Sequence, residues 1–198
     1  MTSKSRSLLI PAAGIATRRQ LIAGSGRLAL SGVAVALLAG CESMAAGSKS
    51  ASGSPADDIA VLNTALGLEY EAIAAYDVGA KSGLLQKPVL DVAVQFQSDH
   101  KKHAETLAAT IAKLGGTAVQ PKANYNFPVS QLKNQADVLR FAAGLEKGAA
   151  SAYLGAVPVF ANKDLSKAAA SIMGVETMHW AVLRNALAEN PVPASFIG

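Results

Sequence analysis

Two segments of this chain share one pattern, in which a Leu-Glu pair is followed at fixed spacings by two alanines and a tyrosine. The pattern occurs first as Leu68-Glu69-x-x-Ala72-x-x-Ala75-Tyr76 and again as Leu145-Glu146-x-x-Ala149-x-x-Ala152-Tyr153. A histidine follows each glutamate at nearly the same distance, 34 residues for His103 and 33 residues for His179. Each half of the chain therefore supplies one glutamate and one histidine in equivalent positions.

A further polar side chain lies three residues before each of these histidines. It is His100 in the first half and Glu176 in the second, and a spacing of three places both side chains on one helical face. The chain has 3 histidines, and all of them belong to this pattern. Carboxylate and imidazole groups on facing helices are typical of metal sites. The candidate metal ligands are therefore Glu69, His100, His103, Glu146, Glu176 and His179.

Composition and periodicity indicate an all-α domain. Apolar residues make up 51% of the chain and aromatic residues only 5%, which favours an Ala/Leu/Val core of packed helices. Turn and capping signals predict helices over about 55–82, from Pro88 to Gly115, from about 134 to Pro158, and from a cap at Asp164 to Asn190. The connections are short, long and short. This order predicts a four-helix bundle over 56–190, with one long crossover between the second and third helices and a C-terminal tail at 191–198.

The N-terminal region is typical of a bacterial export signal. Basic residues precede a 13-residue apolar run, Leu28–Gly40, which is too short for a comfortable membrane span. Thr17-Arg18-Arg19-Gln20-Leu21-Ile22 resembles a twin-arginine signal, and Leu38-Ala39-Gly40-Cys41 resembles a lipoprotein cleavage box. We therefore expect residues 1–41 to be an export signal, Cys41 to carry a lipid, and 42–55 to be a flexible tether. The expected location is the periplasm or cell envelope, with membrane attachment through the lipid anchor.

The charge of the chain argues against a nucleic-acid partner. Five of its 18 basic residues precede Cys41, which leaves 13 basic against 14 acidic residues from that position onward. The expected mature protein is therefore close to neutral. Because Cys41 is the only cysteine, no intramolecular disulfide can form. The sequence does not decide whether the protein forms a homodimer, because small residues along the Ala-rich helices would permit close packing of two copies.

Over about residues 56–189 the sequence resembles the ferritin-like superfamily, in particular the bacterial ferritin-like domain family that includes desiccation-related proteins. The resemblance implies a ferritin-like four-helix bundle in which a glutamate from each of two helices and a Glu-x-x-His motif from each of the other two hold two metal ions. The positions carried over are Glu69, His103, Glu146, and Glu176 with His179. One position departs from this pattern, because His100 stands where the resemblance implies a glutamate.

This departure changes the expected charge and metal preference. Two divalent ions carry four positive charges, whereas Glu69, Glu146 and Glu176 supply three negative ones. A bridging hydroxide, an added anion or a single ion would correct the imbalance. Asp99 lies about 100° from His100 on a helix, so it would need a distorted turn to reach inward. The extra imidazole also shifts preference from iron or manganese toward zinc or copper, which leaves the metal open.

The resemblance implies an exported metal-binding protein, with iron as the first expectation, that oxidises metal or reacts with oxygen or peroxide. Tyr76 and Tyr153, two turns after the glutamates, are candidate hydrogen-bond donors to the ligating carboxylates. Three alternatives remain open, of which one is a metal-delivery chaperone that binds metal without turnover. The imidazoles and carboxylates can neutralise each other without metal in a non-catalytic envelope protein that protects against stress or desiccation. The tyrosines can also be ordinary core residues.

Overall fold

The computed structural model describes residues 54–198, which form four long α-helices. Within this part of the chain there is no β-strand, so the expectation of an all-α four-helix bundle is confirmed. A short 3-10 helix, Val129–Gln131, lies in the connection between the second and third helices. The helices are α1 (Pro55–Lys81), α2 (Lys87–Lys113), α3 (Gln135–Ala156) and α4 (Lys163–Ala186).

The order of short and long connections sets the topology of the bundle. Ile111 near the end of α2 packs in the same apolar cluster as Ala156 at the end of α3 and Leu165 at the start of α4. The ends of α2 and α3 therefore lie together, so these two helices run parallel. The crossover between them, residues 114–134, must return along the length of the bundle, whereas α1–α2 and α3–α4 are antiparallel pairs joined by short loops.

Three of the four helices begin at a residue whose side chain caps the first turn, and α2 is the exception. The Ser54 side chain accepts a hydrogen bond from the Asp57 backbone N–H, Asp57 accepts in return from the Ser54 backbone, and Pro55 occupies the first turn. At the start of α4 the expected cap was wrong. Asn162 is the N-cap, and its side chain accepts from the backbone N–H of Asp164, which lies in the first turn. Asn and Asp are both favoured at this position, so the sequence alone did not separate them.

The end of α4 also differs from the sequence expectation. The helix stops at Ala186 rather than at Asn190, because Ala188 adopts the left-handed conformation with φ of 57°. The Glu189 N–H then bonds the Arg184 carbonyl and the Ala188 N–H bonds the Asn185 carbonyl. This hydrogen-bond pattern is a Schellman motif, which usually has glycine at the left-handed position. Alanine there concealed the stop signal.

A polar layer crosses the middle of the bundle between two apolar clusters. One cluster contains Leu66, Leu107 and Ile172, and the other contains Phe96 and Leu183. The candidate ligands lie between them, near the midpoint of each helix. The two apolar clusters exclude water from both sides of this layer, so its charged groups interact in a medium of low dielectric constant.

The expectations for the N-terminal region, including the export signal and lipidation at Cys41, lie outside the described residues. Over residues 54–198, no helix combines the length and the apolar character that a membrane crossing requires.

Candidate metal centre

The structure brings the six candidate ligands into one cluster, to which every helix contributes. Glu69 lies on α1, His100 and His103 on α2, Glu146 on α3, and Glu176 and His179 on α4. Five of these side chains are at most 5% exposed, and that of His103 is 14% exposed. The burial of His100 is notable because its neighbours Lys101 and Lys102 face solvent. A helix turns about 100° per residue, so a buried histidine can directly precede two exposed lysines.

His100 lies at the centre of the cluster and contacts the two repeated glutamates. Its Nδ1 is 2.8 Å from Glu69 Oε2 and its Nε2 is 3.2 Å from Glu146 Oε1. One imidazole therefore connects the carboxylate of α1 with that of α3. The glutamate that the resemblance implied at this position would instead have placed a third negative charge between them.

Glu176 lies between the other two histidines. Its Oε1 is 3.0 Å from His103 Nδ1, and its Oε2 is 3.2 Å from His179 Nδ1. Within residues 54–198, neither oxygen and neither of these ring nitrogens has a hydrogen-bond partner of acceptable geometry. Each oxygen of this carboxylate thus points at a different half of the cluster.

The six residues form two overlapping sets of four whose donor atoms lie within 4.8 Å of one another. One set is Glu69, His100, His103 and Glu176, and the other is His100, Glu146, Glu176 and His179. Nitrogen and carboxylate ligands bind transition metals at about 2.0–2.2 Å, which leaves neighbouring donors about 3 Å apart. The close spacing of these donor atoms therefore fits two adjacent metal ions, with His100 and Glu176 common to both sets.

The two repeated tyrosines bond the glutamates of the opposite repeat. Tyr153 on α3 donates to Glu69 Oε1 on α1 at 2.5 Å, and Tyr76 on α1 donates to Glu146 Oε1 on α3. Helical side chains lean toward the N-terminus, so each tyrosine reaches back from two turns beyond its own glutamate and across to the antiparallel helix. Burial, together with the adjacent carboxylate, raises the pKa of both tyrosines well above 10, which keeps the hydroxyls protonated as donors.

The carboxylates of the cluster hold the imidazoles in their charged form. Burial disfavours an imidazolium, but Glu146 and Glu69 outweigh it and raise the pKa of His100 to about 10. Burial also disfavours the charged forms of His103 and His179, but neighbouring carboxylates outweigh it and raise both pKa values to about 9. Conversely, burial disfavours ionised Glu69 and Glu146, yet their hydrogen bonds to histidines lower the pKa of both. Without metal, the cluster therefore favours charged imidazoles beside ionised Glu69 and Glu146.

Asp99 was not among the candidate ligands, and the structure places it at the outer edge of the cluster. Its Oδ2 is 3.6 Å from His179 Nε2, on the side of the ring opposite to the Nδ1 atom that faces Glu176 and Glu146. Asp99 does not turn inward, as its position on α2 predicts, and His179 Nε2 instead points toward it. Stacking of this ring on Phe96, with centroids 3.9 Å apart, fixes that orientation.

The model of the ferritin-like domain family matches residues 57–189, which is more than half of the chain. The chain belongs to the ferritin-like domain family. This ferritin-like domain matches none of the curated proteins.

Among solved structures, the chain is similar to a conserved hypothetical protein, rv2844, from Mycobacterium tuberculosis. The TM-score is 0.62 with 23% identity, over 71% of this chain and 97% of the other, and this likeness supports the fold alone. It is also similar to ferritin like, diiron-carboxylate proteins from Bacillus anthracis str. Ames. Here the TM-score is 0.55 with 26% identity, over 67% of this chain and 96% of the other.

Proposed function

We propose that this ferritin-like domain binds two metal ions and uses them to oxidise metal or to react with oxygen or peroxide. Iron is the first choice of metal, and manganese, zinc and copper are the alternatives. The observation that carries the proposal is the set of buried donor atoms without hydrogen-bond partners in residues 54–198. They belong to His103, Glu146, Glu176 and His179, and all four residues converge on one region. Unpaired buried polar atoms are unfavourable, and metal ions would satisfy them.

Similarity to a diiron-carboxylate protein supports iron as the first choice. The ligand types do not favour iron alone, since three imidazoles and three carboxylates also suit zinc and copper. Glu69 and His103 would hold one ion, Glu146 and His179 the other, and Glu176 would bridge them. His100 belongs to both sets and would be a further ligand. Bound iron or manganese would supply the redox step and an open coordination position for the oxidant.

The side chains themselves would manage protons and charge. Metal binding requires neutral imidazoles, so loading would release the protons that His100, His103 and His179 carry in the metal-free state. Tyr76 and Tyr153 would orient the carboxylates by donating to Oε1 of Glu146 and Oε1 of Glu69. Within residues 54–198 the second oxygen of Glu146 has no hydrogen-bond partner, whereas that of Glu69 contacts His100. Asp99, whose Oδ2 is 3.6 Å from His179 Nε2, would bring the count of carboxylates to four, which balances two divalent ions.

A second candidate function is structural. Imidazole and carboxylate groups can neutralise each other, and His100 bonds two glutamates without any metal. A vestigial site of this kind would suit a non-catalytic envelope protein, for example in stress or desiccation protection.

We also propose that the protein is exported and attached to the membrane by a lipid on Cys41, on the strength of the N-terminal sequence pattern. Mass spectrometry of the mature protein from the native membrane fraction tests this directly. A mature chain that begins at lipidated Cys41 is expected, and a retained N-terminus would contradict export by this route.

The deciding experiment is elemental analysis of protein purified without chelators or a metal-affinity resin. We expect about two iron or manganese ions per chain. One zinc or copper ion per chain would instead indicate that His100 is a ligand. No bound metal after reconstitution would contradict the proposal and favour the structural function. Chelation should lower the melting temperature of the loaded protein, because metal binding adds to folding stability.

Point variants connect the bound metal to this cluster. Glu146→Ala and His179→Ala should each reduce the metal content. Glu71→Ala is the matched control, because Glu71 lies two residues from Glu69 on the same helix but contributes no donor atom to either set of four. Equal metal loss in all three variants would place the metal elsewhere.

A further inference from the structure

A cavity of about 140 Å³ lies at the end of the bundle where α1 finishes and α3 begins. All four helices contribute to its wall. Buried residues, including Tyr76, Leu139 and Leu183, form its floor, whereas Pro88, Val182 and Ala186 are exposed and form its rim. The cavity is therefore accessible from the surface on one side and closed by the core on the other.

The wall of this cavity is apolar throughout. Its lining consists of alanine, valine, leucine, proline, glycine, phenylalanine and Tyr76, and the hydroxyl of Tyr76 is occupied by its hydrogen bond to Glu146. A charged or strongly hydrogen-bonding ligand would lose its hydration there without replacement. An apolar ligand would instead gain dispersion contacts that the empty cavity lacks. A cavity of about 150 Å³ with a similar lining is large enough for benzene.

The position of the cavity links it to the candidate metal centre. Tyr76 forms part of the floor and bonds Glu146, and Leu145 in the wall directly precedes that glutamate. Leu183 lies one helical turn after His179. An occupant would therefore contact the turns of α3 and α4 that carry two of the candidate ligands.

We propose that this cavity binds a small, uncharged, apolar molecule, up to about the size of benzene, beside the metal centre. The binding itself requires no metal. Its role as the site of an apolar substrate or oxidant rests on the proposed function.

Benzene is the probe, titrated into the full-length protein and followed by ligand-observed NMR. We expect saturable binding, and no binding of benzoate, which has the same ring with a charged carboxylate. Ala142→Leu adds volume inside the wall and should weaken benzene binding by at least about tenfold, which corresponds to about 1.4 kcal/mol. Ala186→Leu narrows the rim and should also weaken it. Ala168→Leu is the matched control, an exposed alanine of α4 outside the lining.

Absence of saturable benzene binding would overturn the inference, and so would unchanged affinity in both Ala142→Leu and Ala186→Leu. If Ala142→Leu fails to fold, the rim variant still provides the test. Metal analysis of the same samples separates this inference from the proposed function. Protein that binds benzene but no metal would support the cavity site and contradict the metal centre, whereas protein that binds metal but not benzene would overturn the cavity site alone.

Discussion

The hydroxyl of Tyr153 lies 2.5 Å from Glu69 Oε1 and donates a hydrogen bond to it across the bundle. Tyr76 and Glu146 form the reciprocal pair, so the repeated sequence pattern corresponds to a reciprocal exchange of hydrogen bonds between α1 and α3. The tyrosine of each repeat therefore donates a hydrogen bond to the glutamate of the other repeat.

Tyr153→Phe should destabilise the metal-free protein by about 1–3 kcal/mol, because it leaves a buried carboxylate oxygen without its donor. Denaturant unfolding of the metal-free protein measures this change. Tyr70→Phe is the control, since Tyr70 lies on α1 directly after Glu69 and packs against an apolar cluster. A loss of stability no larger than that of the control would mean that the Tyr153 hydrogen bond contributes nothing.

The sharing of Glu176 between the two sets of donors predicts different metal stoichiometries for different variants. Glu176→Gln should weaken binding at both positions, because this carboxylate faces His103 with one oxygen and His179 with the other. His103→Ala should weaken only the position that also contains Glu69. Elemental analysis after reconstitution tests this. Equal losses in the two variants would contradict a bridging role for Glu176.

Much of this arrangement followed from the sequence, because helical periodicity determines which residues share a face. The repeated glutamates, the i and i+3 pairs and most helix ends were accessible in this way. Pairing across the bundle was not. Neither the partner of Tyr153 nor the position of His100 between two glutamates can be obtained from spacing within one helix, since both depend on how α1, α2 and α3 pack together.

Asp99 shows the same limit from the opposite direction. Its angle from His100 on α2 was correctly expected to place it off the inward face, but the outward reach of His179 from α4 was not visible in the sequence. The stop at Ala188 was hidden for a different reason, because alanine seldom adopts the left-handed conformation that ends α4.

Asp99→Asn should lower metal affinity by about 10–100-fold, because it removes the carboxylate that orients His179 and adds the fourth negative charge. Competition with a metal-binding indicator measures the affinity. Asp91→Asn is a matched control, since Asp91 is an exposed carboxylate of the same helix that pairs with Lys87. Equal effects of the two substitutions would indicate a general loss of surface charge rather than a specific contact with His179.

His100→Glu should have opposite effects on the metal-free and loaded protein. Without metal, a carboxylate at this position would replace the imidazole that bonds Glu69 and Glu146, and stability should fall. With metal, the added hard ligand should raise affinity for iron relative to zinc. Thermal unfolding and competitive metal binding measure the two effects. Unchanged relative affinities would show that His100 does not coordinate the metal.

The perturbed pKa values predict how the stability of the metal-free protein depends on pH. The three histidines have folded pKa values of about 9–10 against an ordinary 6.5, so their ion pairs stabilise fully below pH 6.5 and are lost as the pH rises through 9 to 10. Glu69 and Glu146 have pKa values below the ordinary 4.5, so their contribution is present above that pH and is lost on acidification. Stability from this cluster should therefore be greatest between pH 4.5 and 6.5.

Above pH 6.5 the stability of the metal-free protein should fall, whereas its affinity for metal should rise. Because the imidazoles must lose their protons before they bind, metal uptake should strengthen from pH 6.5 toward 9 and should release up to 3 protons, one for each histidine. Calorimetric titration in buffers of different ionisation enthalpy counts these protons. The variant His103→Gln cannot carry a proton at that position and should release one fewer. Proton release that is absent in the wild type would mean that the metal binds outside the cluster.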